Sequence, residues 1–96
     1  MKEKDLQKAI LDYLRLTGWF AIKINTTGIY KKSTGRYIPS PNKGCADILA
    51  FKKNCNPLAV EVKVNNNKQS EWQELWQEEF ERAGGKYILA YSLGDI

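Results

Sequence analysis

Asp47, Glu61 and Lys63 are the residues from which chemistry can be read first. Glu61 and Lys63 stand two apart in the apolar run Leu58 to Val64, and in a strand that spacing puts both on one face with Ala59, while Leu58, Val60, Val62 and Val64 take the other. Cys45 to Phe51 is a second apolar run. Between the two lies Lys52-Lys53-Asn54-Cys55-Asn56-Pro57, rich in turn formers, so the runs should pair as an antiparallel hairpin. With the hairpin centred near Asn54, Asp47 falls opposite Glu61, and their Cβ atoms come ~5 Å apart on one face. At an effective dielectric of ~20, two carboxylates that close repel by roughly 3–4 kcal/mol, a large fraction of a small domain's stability. A cation must offset this. Lys63 is one, and a divalent ion with oxygen ligands is the stronger, because Mg²⁺ typically takes one or two carboxylates, waters and a phosphate oxygen. A cross-strand salt bridge on an exposed sheet face accounts for the same three residues without chemistry.

Two further polar residues fall where the apolar pattern points inward. Leu6, Ala9, Ile10, Tyr13 and Leu14 recur at helical spacing over residues 4 to 17, with Gly18 as the stop. At 100° per residue Glu3 lies on that stripe, between Ile10 and Leu14 in angle, although an acid in a first turn also suits the helix dipole. Ser70-Glu71-Trp72-Gln73 has the form of a capping box. It opens a second helix that stops at Gly84-Gly85 and carries the stripe Trp72, Leu75, Trp76, Phe80 and Ala83. Gln73 is either a cap or a site residue, with Gln77 one turn later as the competing choice. Trp72 and Trp76 read as core or interface packing ahead of base stacking.

The remaining elements complete an α-β-β-β-α-β order. Trp19 to Asn25 alternates, with Phe20, Ile22 and Ile24 on one face and Ala21, Lys23 and Asn25 on the other; Lys86 to Tyr91 is the last strand. Thr26 to Gly44 is a turn-rich loop or loose hairpin that carries Lys31, Lys32, Arg36 and Lys43 and no acid, a composition suited to tracking phosphates. The 96 residues, 43% hydrophobic and 27% charged, suit one globular domain over residues 1–96.

The absence of histidine removes Ser/His and Cys/His nucleophiles, His-ligated zinc and imidazole acid/base catalysis together. Two cysteines are too few for a disulfide scaffold, and no apolar run approaches the ~20 residues of a membrane span. A reducing, cytoplasmic location away from the membrane is expected. The net charge of +4 is unevenly spread: residues 1–70 hold 13 Lys and Arg against 5 Asp and Glu, and residues 71–96 hold 2 against 6. A basic body suits a polyanion, nucleic acid foremost. Lys23, Lys31, Lys32, Arg36 and Lys43 are the phosphate-gripping candidates, whereas the acidic face of the second helix (Glu71, Glu74, Glu78, Glu81) argues that DNA does not lie there.

Glu3, Gly44-Cys45-Ala46-Asp47, Glu61-Val62-Lys63 and Ser70-Glu71-Trp72-Gln73 followed by Gly84-Gly85 together resemble the VRR-NUC (virus-type replication-repair nuclease) family of the PD-(D/E)xK nuclease superfamily, over nearly the whole chain. Ala46 stands where that family commonly has proline. The resemblance implies an α/β fold, the minimal PD-(D/E)xK core with a mixed sheet flanked by helices. It implies a metal site at Asp47 and Glu61, Lys63 beside the attacking water, and supporting roles for Glu3 and Gln73. It also implies a homodimer acting on branched DNA in the manner of Holliday junction resolvases, as in stand-alone phage and bacterial members. On this reading Asp47, Glu61 and the Val62 carbonyl bind Mg²⁺ or Mn²⁺ for phosphodiester hydrolysis. The alternative is a non-catalytic nucleic-acid-binding module in which Glu61 and Lys63 merely pair.

Overall fold

Leu6, Ile10 and Leu14 fall on one stripe of helix α1 (Glu3–Leu16) and are all buried, so the helical period of the apolar residues decides which side of α1 meets the rest of the chain. The computed structural model describes residues 2–24, 29–31, 35–38 and 43–96, with the backbone alone for 29–31 and 36–38. After α1 come β1 (Phe20–Lys23), β2 (Ile29–Lys31), β3 (Arg36–Ile38), β4 (Ile48–Phe51), β5 (Leu58–Val62), α2 (Glu71–Arg82), β6 (Lys86–Ala90) and a 3₁₀ turn, Leu93–Asp95. Four strands form a mixed sheet in the order β1-β4-β5-β6. The β1/β4 and β4/β5 pairs are antiparallel and β5/β6 is parallel, the parallel pair being joined through α2 as a crossover requires. This is the α-β-β-β-α-β core that the sequence implies, and of the two readings of the long loop the hairpin holds: residues 29–31 and 36–38 pair antiparallel, apart from the main sheet.

β5 is the centre. All five of its residues are buried because both of its faces are covered. On one face Leu58, Val60 and Val62 join Leu6, Ile10 and Leu14 of α1, with Ala21, Ile48, Ala50 and Ala90, in one apolar cluster. On the other, Ala59 packs with Ala46 and Tyr87, against Trp76 and Phe80 of α2.

The coverage of that second face is short, and two apolar patterns read from the sequence are corrected by it. The alternation in β1 holds, but Ala21 is the residue that faces α1 and is buried, while Phe20 is 68% exposed, its ring centroid 6.4 Å from that of Phe51. In α2 no residue is buried. Trp76 and Phe80 stack at 4.9 Å and reach the sheet, whereas Trp72 and Leu75 of the expected stripe are 53% and 55% exposed. A periodic stripe tells which side of a helix is apolar and does not tell how much sheet lies beneath it. Among the described residues no helix is long and apolar enough to cross a membrane.

Candidate metal centre

The β4/β5 register pairs Ile48 with Val60, which carries Asp47, one residue before β4, to the position opposite Glu61. Asp47 is anchored there by both its main chain and its side chain: Ile24 N–H donates to its carbonyl at 2.7 Å, and Val62 N–H donates to its Oδ2 at 2.8 Å. A strand residue's carbonyl projects to the same side as its own amide, which puts Val62 O on the β4 side of β5. On the opposite side Lys63 N–H continues the ladder to Ala90 O at 2.9 Å.

Glu3, at the start of α1, completes the group. One carboxylate oxygen from each of Glu3, Asp47 and Glu61 lies within 4.8 Å of the others. Three carboxylates this close cannot all be ionised without a counter-charge. Glu61 shows the conflict most plainly: it is 2% exposed, and its carboxyl is pushed up to about 8, first by burial and then by the neighbouring Asp47 carboxylate, with Lys63 pulling the other way. Lys63 Nζ stands 3.9 Å from Glu61 Oε2. Burial, Glu61 and Asp47, in that order, also push the neighbouring Cys45 thiol up.

Gln73 caps the helix and also reaches Glu61. Its Oε1 accepts from Ser70 N–H (2.9 Å) and its N–H donates to Ser70 Oγ (3.2 Å), a complete capping box; its Nε2 donates to Glu61 Oε2 at 3.2 Å. One side chain thus ties the N-terminus of α2 to the acidic cluster. Gln77 is engaged elsewhere: its Oε1 accepts from Gln69 Nε2 (2.9 Å), which also donates to Tyr87 OH (3.0 Å).

Glu61 Oε2 is therefore used, and Glu61 Oε1 is the atom left over. It is buried and, among the described residues, has no hydrogen-bond partner. A buried carboxylate oxygen without a partner is costly, and a hard cation beside it satisfies that oxygen and offsets the crowded charge at once. The donor set is all oxygen, which suits Mg²⁺ or Mn²⁺ and suits soft metals poorly.

A short loop sets the spacing of this centre. Gly44 has φ +83°, and a Cβ there would collide with the Trp72 carbonyl, so the chain leading to Asp47 lies directly against the first turn of α2. Neither this contact nor the Gln69–Gln77–Tyr87 group was legible from spacing alone.

The basic candidates separate. Lys23 is exposed and opposite Ile48, where it lines a recess of about 210 Å³ with Lys4, Asp5, Lys8 and Leu11; Lys4 and Lys8, four apart on α1, were overlooked. Lys43 is exposed and its Nζ lies 4.4 Å from the centroid of the Trp72 ring. Lys31 and Arg36 are partners in the β2/β3 register, and Lys32 lies outside the described residues.

Among solved structures the chain is similar to Hjc, a Holliday junction resolvase from the archaeal hyperthermophile Archaeoglobus fulgidus, with 24% sequence identity and a TM-score of 0.64; the match covers 93% of this chain and 67% of that one. The likeness is one of fold. No family model and no curated protein matches the chain.

Proposed function

We propose that this chain is a metal-dependent DNA endonuclease of the VRR-NUC type, a single domain over residues 1–96 that hydrolyses phosphodiester bonds in branched DNA as a homodimer. The observation that carries the reading is the buried, partnerless Glu61 Oε1 inside a cluster of three carboxylates. The fold shared with a Holliday junction resolvase supports it, as does the basic charge of the first seventy residues. A two-fold pair of single active sites suits a branched substrate whose strands are themselves related by approximate two-fold symmetry.

In this reading Asp47, Glu61 and the Val62 carbonyl would hold Mg²⁺ or Mn²⁺, with Glu3 beside them in a supporting role. A divalent ion there supplies charge neutralisation at the phosphoryl oxygens and a more acidic water. The chain supplies the rest. Gln73 fixes Glu61 by holding Oε2, which leaves the partnerless Oε1 for the ion. Lys63, held near Glu61 Oε2, positions the attacking water or takes its proton. The new O–P bond forms as the bond to the 3′-oxygen breaks, and that oxygen leaves with a proton from solvent. Lys23, Lys31, Lys32, Arg36 and Lys43 grip phosphates away from the scissile bond.

The test is cleavage of a labelled four-way junction beside a matched linear duplex in Mg²⁺, Mn²⁺ or EDTA. The parent should cut the junction symmetrically, only with metal, and Lys63→Ala should lose at least about 100-fold in rate. Binding without cutting under every metal would instead mark a nucleic-acid-binding module and end the nuclease reading.

A further inference from the structure

Trp72 is out of place as a core residue. It lies in the first turn of α2, one turn before the Trp76–Phe80 stack that seats the helix on the sheet, and it is 53% exposed. Its backbone is nonetheless pinned. Its carbonyl abuts Gly44, and the next residue, Gln73, is bonded both to Ser70 and to Glu61. The Lys43 ammonium lies 4.4 Å from the ring centroid, a contact that restrains the ring and keeps a positive charge beside it. An exposed indole is therefore held one residue from the side chain that grips the acidic cluster. The comparable pair, Lys52 and Trp19, is built differently: their separation is 5.8 Å and Lys52 Nζ is tied to Thr17 O at 3.0 Å, so that pair closes the turn after α1.

We propose that Trp72 and Lys43 form a binding site for one unpaired nucleotide next to the scissile phosphate, the indole stacking on the base and the ammonium meeting the adjoining phosphate. This rests on the nuclease reading above and narrows its substrate to DNA with an unstacked base at the branch. A flat aromatic face can take only a base whose own face is free, which duplex DNA hides and a branch point or single strand exposes. An aromatic ring paired with a cation is the combination that single-strand-binding surfaces use. The occupant is also limited by charge. Glu71, Glu74 and Glu78 continue along α2, so a phosphate chain running down the helix would be repelled. A single base confined to the Trp72 ring does not run along them.

The experiment is a fluorescence titration in EDTA, where no cleavage occurs, using a four-way junction with 2-aminopurine at each position flanking the branch and a matched duplex with the same label. The parent should quench the label at one branch-flanking position and leave the duplex label unchanged. Trp72→Leu should lose that quench and about 10-fold in junction affinity, while Trp72→Phe retains most of both. Lys43→Ala should reduce the salt slope of binding by about one. Equal quenching by Trp72→Leu and the parent would overturn the proposal. So would a quench lost only because Trp72→Leu sediments as monomer where the parent is a dimer, since the ring would then be a contact between copies. The two readings separate cleanly. Stacking without metal-dependent cutting removes the nuclease and leaves the nucleotide site, whereas cutting by Trp72→Leu with unchanged quench and junction preference removes the nucleotide site alone.

Discussion

The two faces of the sheet are built on opposite plans. Against α1 the contact is apolar and closed: Leu6, Ile10 and Leu14 meet Ile48, Val60 and Val62 with little or no exposure. Against α2 it is sparse. That helix buries nothing fully, reaches the sheet through Trp76 and Phe80, and is otherwise held by polar groups, Ser70 with Gln73, Gln73 with Glu61, and Gln69 with Gln77 and Tyr87. Stability is concentrated on one side, and two of the three clustered carboxylates, Asp47 and Glu61, lie on the other. The crowded carboxylates lie where the rigid half ends, so their mutual repulsion acts against a frame that can hold them together.

The contrast can be broken from the apolar side first. Ile10→Ala should cost about 3 kcal/mol, because the side chain is fully buried and its neighbours can collapse only in part. Phe80→Ala, on a partly buried ring, should cost about 1–2 kcal/mol. In a domain of this size that is a fall in Tm of more than about 12 °C against less than about 16 °C, the two separated by at least about 4 °C. Equal losses in a thermal melt would show that α2 is as firmly seated as α1 and would remove the asymmetry.

How much of this was legible follows from the same division. Where pattern length fixes geometry, the sequence reading located residues well: six turn residues set the hairpin register that brings Asp47 to Glu61, and helical angle put Glu3 on the inward stripe of its helix, where its carboxylate meets the other two. Where burial depends on the extent of a partner surface, it did not. Phe20, Trp72 and Leu75 sit on apolar stripes and are exposed, because α2 covers only part of the sheet face it packs on. Gln73 was ambiguous for a different reason: its backbone and side chain satisfy a cap and a carboxylate at the same time, and a motif reports one use of a residue at a time.

The acidic corner offers the next test. Glu61 is pushed up to about 8 from an ordinary value of 4.5, so above about pH 4.5 the folded protein keeps a proton that the unfolded chain releases. Stability of the metal-free protein is then fully present below about pH 4.5 and declines as pH rises toward 8. Thermal melts in EDTA should show this decline, and Glu61→Gln should flatten it. Mn²⁺ should raise the Tm of the parent, by the equivalent of about 2.7 kcal/mol at a hundred times its Kd, and more at pH 8 than at pH 6, because the ion binds the ionised ligands. A pH-independent Tm that ignores Mn²⁺ would make the carboxylates a structural group.

The finest division lies within one capping box. Ser70→Ala and Gln73→Ala each remove half of the box, and each should destabilise the protein by about 1 kcal/mol. Only Gln73 also bonds Glu61 Oε2. If that bond sets the direction of Glu61 Oε1, Gln73→Ala should lose most of the Mn²⁺-dependent rise in Tm while Ser70→Ala keeps it, although both unfold at nearly the same temperature in EDTA. Gln73→Glu is the sharper probe, since it can still accept from Ser70 N–H but brings a further negative charge against Glu61. It should melt near the parent at low pH and fall below it as the added carboxyl ionises. Identical metal responses from Ser70→Ala and Gln73→Ala would mean that Gln73 only caps the helix, and that burial alone holds Glu61 in place.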